Sequence, residues 1–204
     1  MAEPAYTRMQ VDERRRQLLD AGGRLFTEHS FEELTMREIA QAAGVSKPLL
    51  YHYFPSKIDL FKAAVSEKAQ QLREAIEPPR EGTPFDRLAA SIDAYLAWIE
   101  QNSQAWSKLV QSAATLPAAS ELVEGFREQT MELVLAELIG RRKPRPALRT
   151  AIRGWLGYMD AAILDWTGHR DLSRAQLRDL LLAAFGAALL AAQQADPRLE
   201  LRLG

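Results

Sequence analysis

The sequence predicts an all-α protein in which a small N-terminal three-helix domain is followed by a larger helical domain. Three observations carry this. Apolar residues recur at three- and four-residue spacing along most of the chain, with no convincing alternating β pattern and no internal repeat. Two capping boxes, Thr35 with Glu38 and Ser173 with Gln176, mark helix starts. Breaker residues gather at a few junctions, among them Gly44, Pro78-Pro79 and the basic stretch from Arg141 to Pro146. The expected organisation is a flexible tail over residues 1–9, a compact domain over 10–55, a linking helix over 56–77 and a second domain over 78–204.

Residues 1–9 lack the long apolar run of a signal peptide. A long amphipathic helix follows, with Val11, Leu18, Leu25 and Phe26 along one side. Arg14, Arg15 and Arg16 near its start could reach a nucleic-acid backbone, but Asp12 and Glu13 beside them favour a solvated helix start. Thr35 and Glu38 open the next helix, on which Met36, Ile39, Ala40 and Ala43 keep helical spacing. Gly44, without a Cβ, ends it cheaply. Ser46 caps a third helix, and Pro48 in its first turn removes no helical hydrogen bond. On that helix Leu50 and Phe54 face inward, leaving Lys47, Pro48, Tyr51 and His52 outward.

Two short helices joined by a tight Ala-Gly-Val turn, the second ending in polar-tipped aromatics, form the layout of a helix-turn-helix that docks on DNA. The plainer alternative is that Tyr and His edge a small core. Charge favours the first reading, because Ala42 to Ile58 contains Lys47 and Lys57 but no acidic residue, in a chain of 27 acidic and 26 basic residues. A surface facing phosphates needs such a local absence of carboxylates.

From Ser56 onward the chain reads as helices. Ser56 caps one that runs to about Ile76 and carries Leu60, Phe61, Ala64 and Leu72. Pro78-Pro79-Arg80-Glu81-Gly82 ends it and marks the domain boundary. Thr83, Pro84 and Asp86 open a helix to about Asn102, and Ser103 caps a shorter one. Further helices are expected at 118–139 and 147–168, and Ser173 starts a last one to about Gln194. Ala183, Ala184, Gly186, Ala187, Ala188, Ala191 and Ala192 on that last helix allow close helix approach, either within the core or across a dimer interface.

Composition excludes several function classes. With 47 % hydrophobic and 26 % charged residues the chain is an ordinary soluble one, expected in the cytoplasm. Its longest apolar run, Leu180 to Ala192, falls short of the roughly 20 residues of a bilayer span, so no membrane partner is expected. Zero cysteines exclude disulfides and thiol chemistry. His29, His52 and His169 lack ligand spacing, and no phosphate loop or nucleophile elbow is present. No catalytic residue, metal or cofactor is therefore expected, although paired carboxylates leave no sequence signature. A net charge of −1 argues for a local binding patch rather than a general nucleic-acid coat.

The second domain gathers the large aromatics. Tyr95, Trp98, Trp106, Phe126, Met131, Trp155, Tyr158 and Met159 are candidates to line an apolar small-molecule site. Taken singly, each could simply fill the core. Asp160 and Asp165 interrupt an apolar stretch; they could pair with Arg127 or Arg153, meet a cationic ligand or lie exposed at a helix end.

The segment Leu50-Tyr51-His52-Tyr53-Phe54-Pro55-Ser56-Lys57, preceded by Ala42-Ala43-Gly44-Val45-Ser46, resembles the helix-turn-helix of the TetR family of transcriptional regulators. The resemblance implies a helix-turn-helix DNA-binding domain followed by a ligand-binding and dimerisation domain. It places Lys47, Pro48 and Tyr51 against base edges and His52, Tyr53 and Lys57 on phosphates, with Thr35, Arg37 and Ser46 touching the flanking backbone. Leu49 stands where the family often has a small hydroxyl residue, which removes a polar contact. The resemblance further implies a homodimer paired through its last two helices, a palindromic double-stranded DNA operator, and a small lipophilic effector that releases a repressor. A DNA-binding regulator without a ligand is the alternative.

Overall fold

The computed structural model describes residues 5–76 and 81–202, and for residues 5–10 only the backbone. Among the described residues there are eight α-helices and no strand: α1 (Ala5–Glu28), α2 (Met36–Ala42), α3 (Lys47–Tyr53), α4 (Lys57–Ala75), α5 (Pro84–Ser112), α6 (Pro117–Ile139), α7 (Pro146–His169) and α8 (Arg174–Ala195). The chain divides into two compact units. One comprises Met1–Gln71 with Ser112–Leu122, the other Leu72–Gln111 with Val123–Gly204.

In the first unit α1, α2, α3 and α4 enclose Leu18, Ile39, Leu50 and Leu60, all fully buried, with Phe26, Phe54 and Phe61 around them. Leu50 and Phe54 thus point inward as their spacing requires. Gly22 lets α1 approach α4, since a Cβ there would lie 3.1 Å from the Leu60 side chain. Gly44 stands at φ +67°, in the left-handed region that ends α2. A Cβ at Gly44 would meet no other atom, so backbone strain alone opposes substitution. Gly44→Ala is expected to cost about 1–2 kcal/mol, read as a lower Tm of the isolated chain; an unchanged Tm would contradict this role for the turn.

Several boundaries differ from expectation. Helix α1 begins at Ala5, within the stretch read as a tail, because Ala5 to Gln10 holds no breaker. Residues 1–4 and the break at Pro78-Pro79-Arg80 lie outside the described residues. Helix α5 continues through the expected stop to Ser112, with only Asn102 leaving helical geometry at φ −121°, ψ 23°. The Asn102 side-chain amide donates to the Trp98 carbonyl at 2.9 Å, so the side chain competes with the backbone and kinks the helix without ending it.

In the second unit the buried faces of α5, α6, α7 and α8 share one core, built on Leu96, Ile99, Leu138, Ile152, Leu156, Ile163, Leu181 and Phe185. Ion pairs rim it: Arg174 of α8 reaches Asp93 at 3.3 Å and Glu100 at 2.9 Å on α5. Helix α8 is the one described helix long and apolar enough, by length and composition, to cross a membrane, which the uninterrupted apolar run alone did not suggest. Leu177, Leu181, Phe185 and Leu189 on its inner face are buried against this core. Its outer face, and that of α7, carry the small residues. Gly154 and Gly157 of α7 and Gly186 of α8 are exposed, and a Cβ at any of them would meet nothing. Tyr158, Ala161, Ala183, Ala187 and Leu190 are exposed at matching helical spacings.

Candidate nucleic-acid interface

The helix-turn-helix is held by its caps. Thr35 Oγ1 accepts from the Glu38 amide at 3.3 Å, and the Thr35 amide and hydroxyl donate to the Glu38 carboxylate at 2.8 and 2.7 Å. These bonds from the Thr35 side chain and backbone hold the Glu38 carboxyl below its ordinary range. The single hydroxyl proton of Thr35 is thereby committed inside the cap. Ser46 Oγ accepts from the Leu49 amide at 3.3 Å, which leaves its own proton free to donate outward.

Helix α3 presents Lys47, Pro48, Tyr51 and His52 on an exposed surface. The Lys47 ammonium lies 5.7 Å from the centre of the Tyr51 ring, so the two form a pair one turn apart. His52 meets Tyr53 edge to face at 5.6 Å, and Tyr53 and Leu49 are half-buried. Arg37 is exposed on α2.

Lys57, expected on phosphates, is half-buried at the start of α4. Its ammonium donates to the Phe31 carbonyl at 2.5 Å and the Leu34 carbonyl at 2.7 Å, and lies 4.3 Å from the centre of the Phe31 ring. Two of its three donors therefore serve the loop before α2. Sequence reading also missed two supports from α1: Gln17 donates to the Ala43 carbonyl at 3.3 Å, and the Arg15 guanidinium lies 5.4 Å from the centre of the Phe54 ring. All of these contacts are long-range, and no local pattern announces them.

Comparison with known proteins places this architecture. A family model for bacterial regulatory proteins of the TetR family matches residues 18–64, and one described as tetracyclin repressor-like, C-terminal domain, matches residues 84–188, more than half of the chain. The chain belongs to the TetR family. It is 33 % identical over 137 residues to the HTH-type transcriptional activator FasR of Mycolicibacterium smegmatis, covering 66 % of this chain and 62 % of FasR. It is 30 % identical over 136 residues to the HTH-type transcriptional repressor Rv1474c of Mycobacterium tuberculosis, covering 67 % of this chain and 68 % of that protein. A crystal structure of a TetR-family transcriptional regulator from Streptomyces coelicolor matches with a TM-score of 0.78 at 29 % identity, covering 91 % of this chain and 84 % of that one. The all-α fold with an N-terminal helix-turn-helix, the role in DNA-binding transcriptional regulation and the absence of an enzymatic function follow from family membership.

In the part matched to the TetR-family C-terminal domain, the candidate ligand residues divide. Trp106 Nε1 donates to the Tyr95 hydroxyl at 2.9 Å, a polar pair that spans the Asn102 kink. Burial, then the nearby Asp160 carboxylate, pushes that hydroxyl above the ordinary tyrosine range, and the Trp106 bond offsets part of the effect. Trp98 and Met131 are half-buried against the core, and Phe126 is half-buried. Met159 is buried, and Trp155 is engaged with the core, its Nε1 donating to the Leu181 carbonyl at 3.0 Å and its ring 4.8 Å from Phe185. Tyr158 stands apart, 40 % exposed on the small-residue face of α7.

Asp160 takes Arg127 as its partner at 2.7 Å, while Arg153 pairs with Glu124. Burial nevertheless raises the Asp160 carboxyl above its ordinary value, with Arg127 offsetting only part. Asp165 is exposed, 3.2 Å from His169.

Proposed function

We propose that this TetR-family chain acts as a homodimeric repressor that binds a palindromic double-stranded DNA operator and is released by a small lipophilic effector. The observation that carries the reading is the exposed surface of α3. Lys47, Pro48 and Tyr51 stand outward on a helix whose surroundings, from Ala42 to Ile58, contain no carboxylate. Lys47 donates to guanine O6 or N7, Pro48 offers apolar surface to a thymine methyl, and Tyr51 reaches a base edge. His52 and Tyr53 face phosphates, with Ser46 and Arg37 on the flanking backbone. Thr35 contributes through its cap, since its proton is already used.

Two-fold symmetry would come from α7 and α8, whose exposed glycines and alanines let a second copy approach closely. Effector binding would centre on α5 to α7, where the Tyr95 and Trp106 pair supplies an orienting polar group among Trp98, Phe126 and Met131. Tyr158 belongs instead to the dimer face. Helix α4 starts beside the recognition helix and its last residues, from Leu72, belong to the second unit, so it carries the coupling. The named relatives include an activator and a repressor; the repression proposed for this chain requires an operator that overlaps a promoter, and the proposed place of action is the cytoplasm.

The test is reciprocal binding. Operator affinity measured with saturating effector, and effector affinity measured with saturating operator, should both fall, by the same factor. An operator affinity that effector leaves unchanged would sink the ligand-responsive reading and leave a DNA-binding regulator without one.

A further inference from the structure

We infer that Lys57 is a positioning residue that closes the helix-turn-helix from the side opposite its turn, and that it does not contact DNA. This rests on α2 and α3 being the DNA-reading element. The two helices are joined at one end by the turn at Gly44. Their other ends, the loop leading into α2 and the residues following α3, have no chain connection there. Lys57, the first residue of α4, lies four residues after the end of α3 and carries its ammonium to the carbonyls of Phe31 and Leu34, at 2.5 and 2.7 Å.

Leu34 immediately precedes Thr35, the cap of α2. One side chain therefore ties the exit of α3 to the start of α2, so the pair is fixed at both ends. The Phe31 ring holds the clasp from the side, with the ammonium 4.3 Å from its centre, and packs on Phe26 at 5.9 Å and Phe61 at 5.5 Å. An ammonium so placed has two donors on backbone carbonyls and an aromatic face beside it. Only its third N–H is left for any other acceptor. The chemistry that an isolated lysine at this position suggests, a point charge for the DNA backbone, is used for internal geometry instead.

Lys57→Met keeps the unbranched stem beside Phe31 and removes the donors. With the protein kept well below its Tm, operator affinity of Lys57→Met should fall at least tenfold, because the recognition helix is no longer held at its angle. Affinity for non-operator duplex, and the slope of log K against log salt on both DNAs, should not change. A salt slope reduced by about one on both DNAs would mean a lost phosphate contact and would overturn the inference. A lower Tm with unaltered operator affinity would mean a purely structural lysine and would overturn it equally. The wild type is measured in the same series, so failure of the DNA-binding reading shows there and failure of the clasp only in the variant. Should the variant not fold, the wild-type ammonium resonance of Lys57 carries the test. It should keep its position when operator is added while that of Lys47 moves; a shift of Lys57 matching that of Lys47 would contradict the clasp.

Discussion

Gly157→Glu is expected to produce a folded monomer that has lost tight operator binding. Gly157 lies on the exposed face of α7, and a Cβ there would meet no atom of its own protomer, so the substitution disturbs no packing within the chain. It also replaces the poorest ordinary helix former, a gain of about 0.5–1 kcal/mol in helix stability. Between two copies packed through α7 and α8 the same change would place opposed carboxylates in a close apolar contact beside Tyr158 and Ala161. A monomer engages one half-site at a time and forfeits the effective concentration of the second, so operator affinity should drop about 10²–10⁴-fold. Sedimentation gives the mass and fluorescence anisotropy gives the affinity. A Gly157→Glu protein that remains dimeric would show that α7 and α8 do not form the interface.

Loss of the base-reading pair is the second large effect. Lys47→Ala should weaken operator binding by about 1–3 kcal/mol, roughly five- to 150-fold, and relax preference at one base pair while leaving most non-operator affinity in place. Tyr51→Ala should weaken it comparably, and part of that loss belongs to Lys47, whose ammonium rests 5.7 Å from the Tyr51 ring centre. The double variant should therefore lose less than the sum of the two singles. Strict additivity would mean that the ring and the ammonium act separately, and equal losses on operator and non-operator DNA would remove both residues from base reading.

What the sequence made legible was local chemistry. The capping boxes at Thr35 with Glu38 and at Ser173 with Gln176, the stop at Gly44 and the inward turn of Leu50 and Phe54 each depend on residues within four positions, and the structure contains all of them. The Asn102 kink was half legible. An end of helix was read where a side chain bends one, because Asn favours both outcomes.

What stayed hidden depends on distant partners. Lys57 reads as a free cation until Phe31 and Leu34 are brought to it across more than twenty residues. Tyr158 reads as one more aromatic in a ligand-lining set until the helix orients it to the outside, with Gly157 and Ala161. Trp155 differs from Trp106 in what its indole N–H meets, the Leu181 backbone in one case and the Tyr95 hydroxyl in the other. No periodicity encodes that distinction, because both residues sit on correctly spaced apolar faces.

The proposed dimer is a symmetric reader with one α3 in each of two successive major grooves. Selection of bound sequences from a pool of random duplex DNA by the wild-type protein tests it most directly. The expected result is an inverted repeat whose half-sites are centred about one helical turn, or a whole number of turns, apart, with two protomers per duplex. Enrichment of a single asymmetric site, or no enrichment over random sequence, would contradict it.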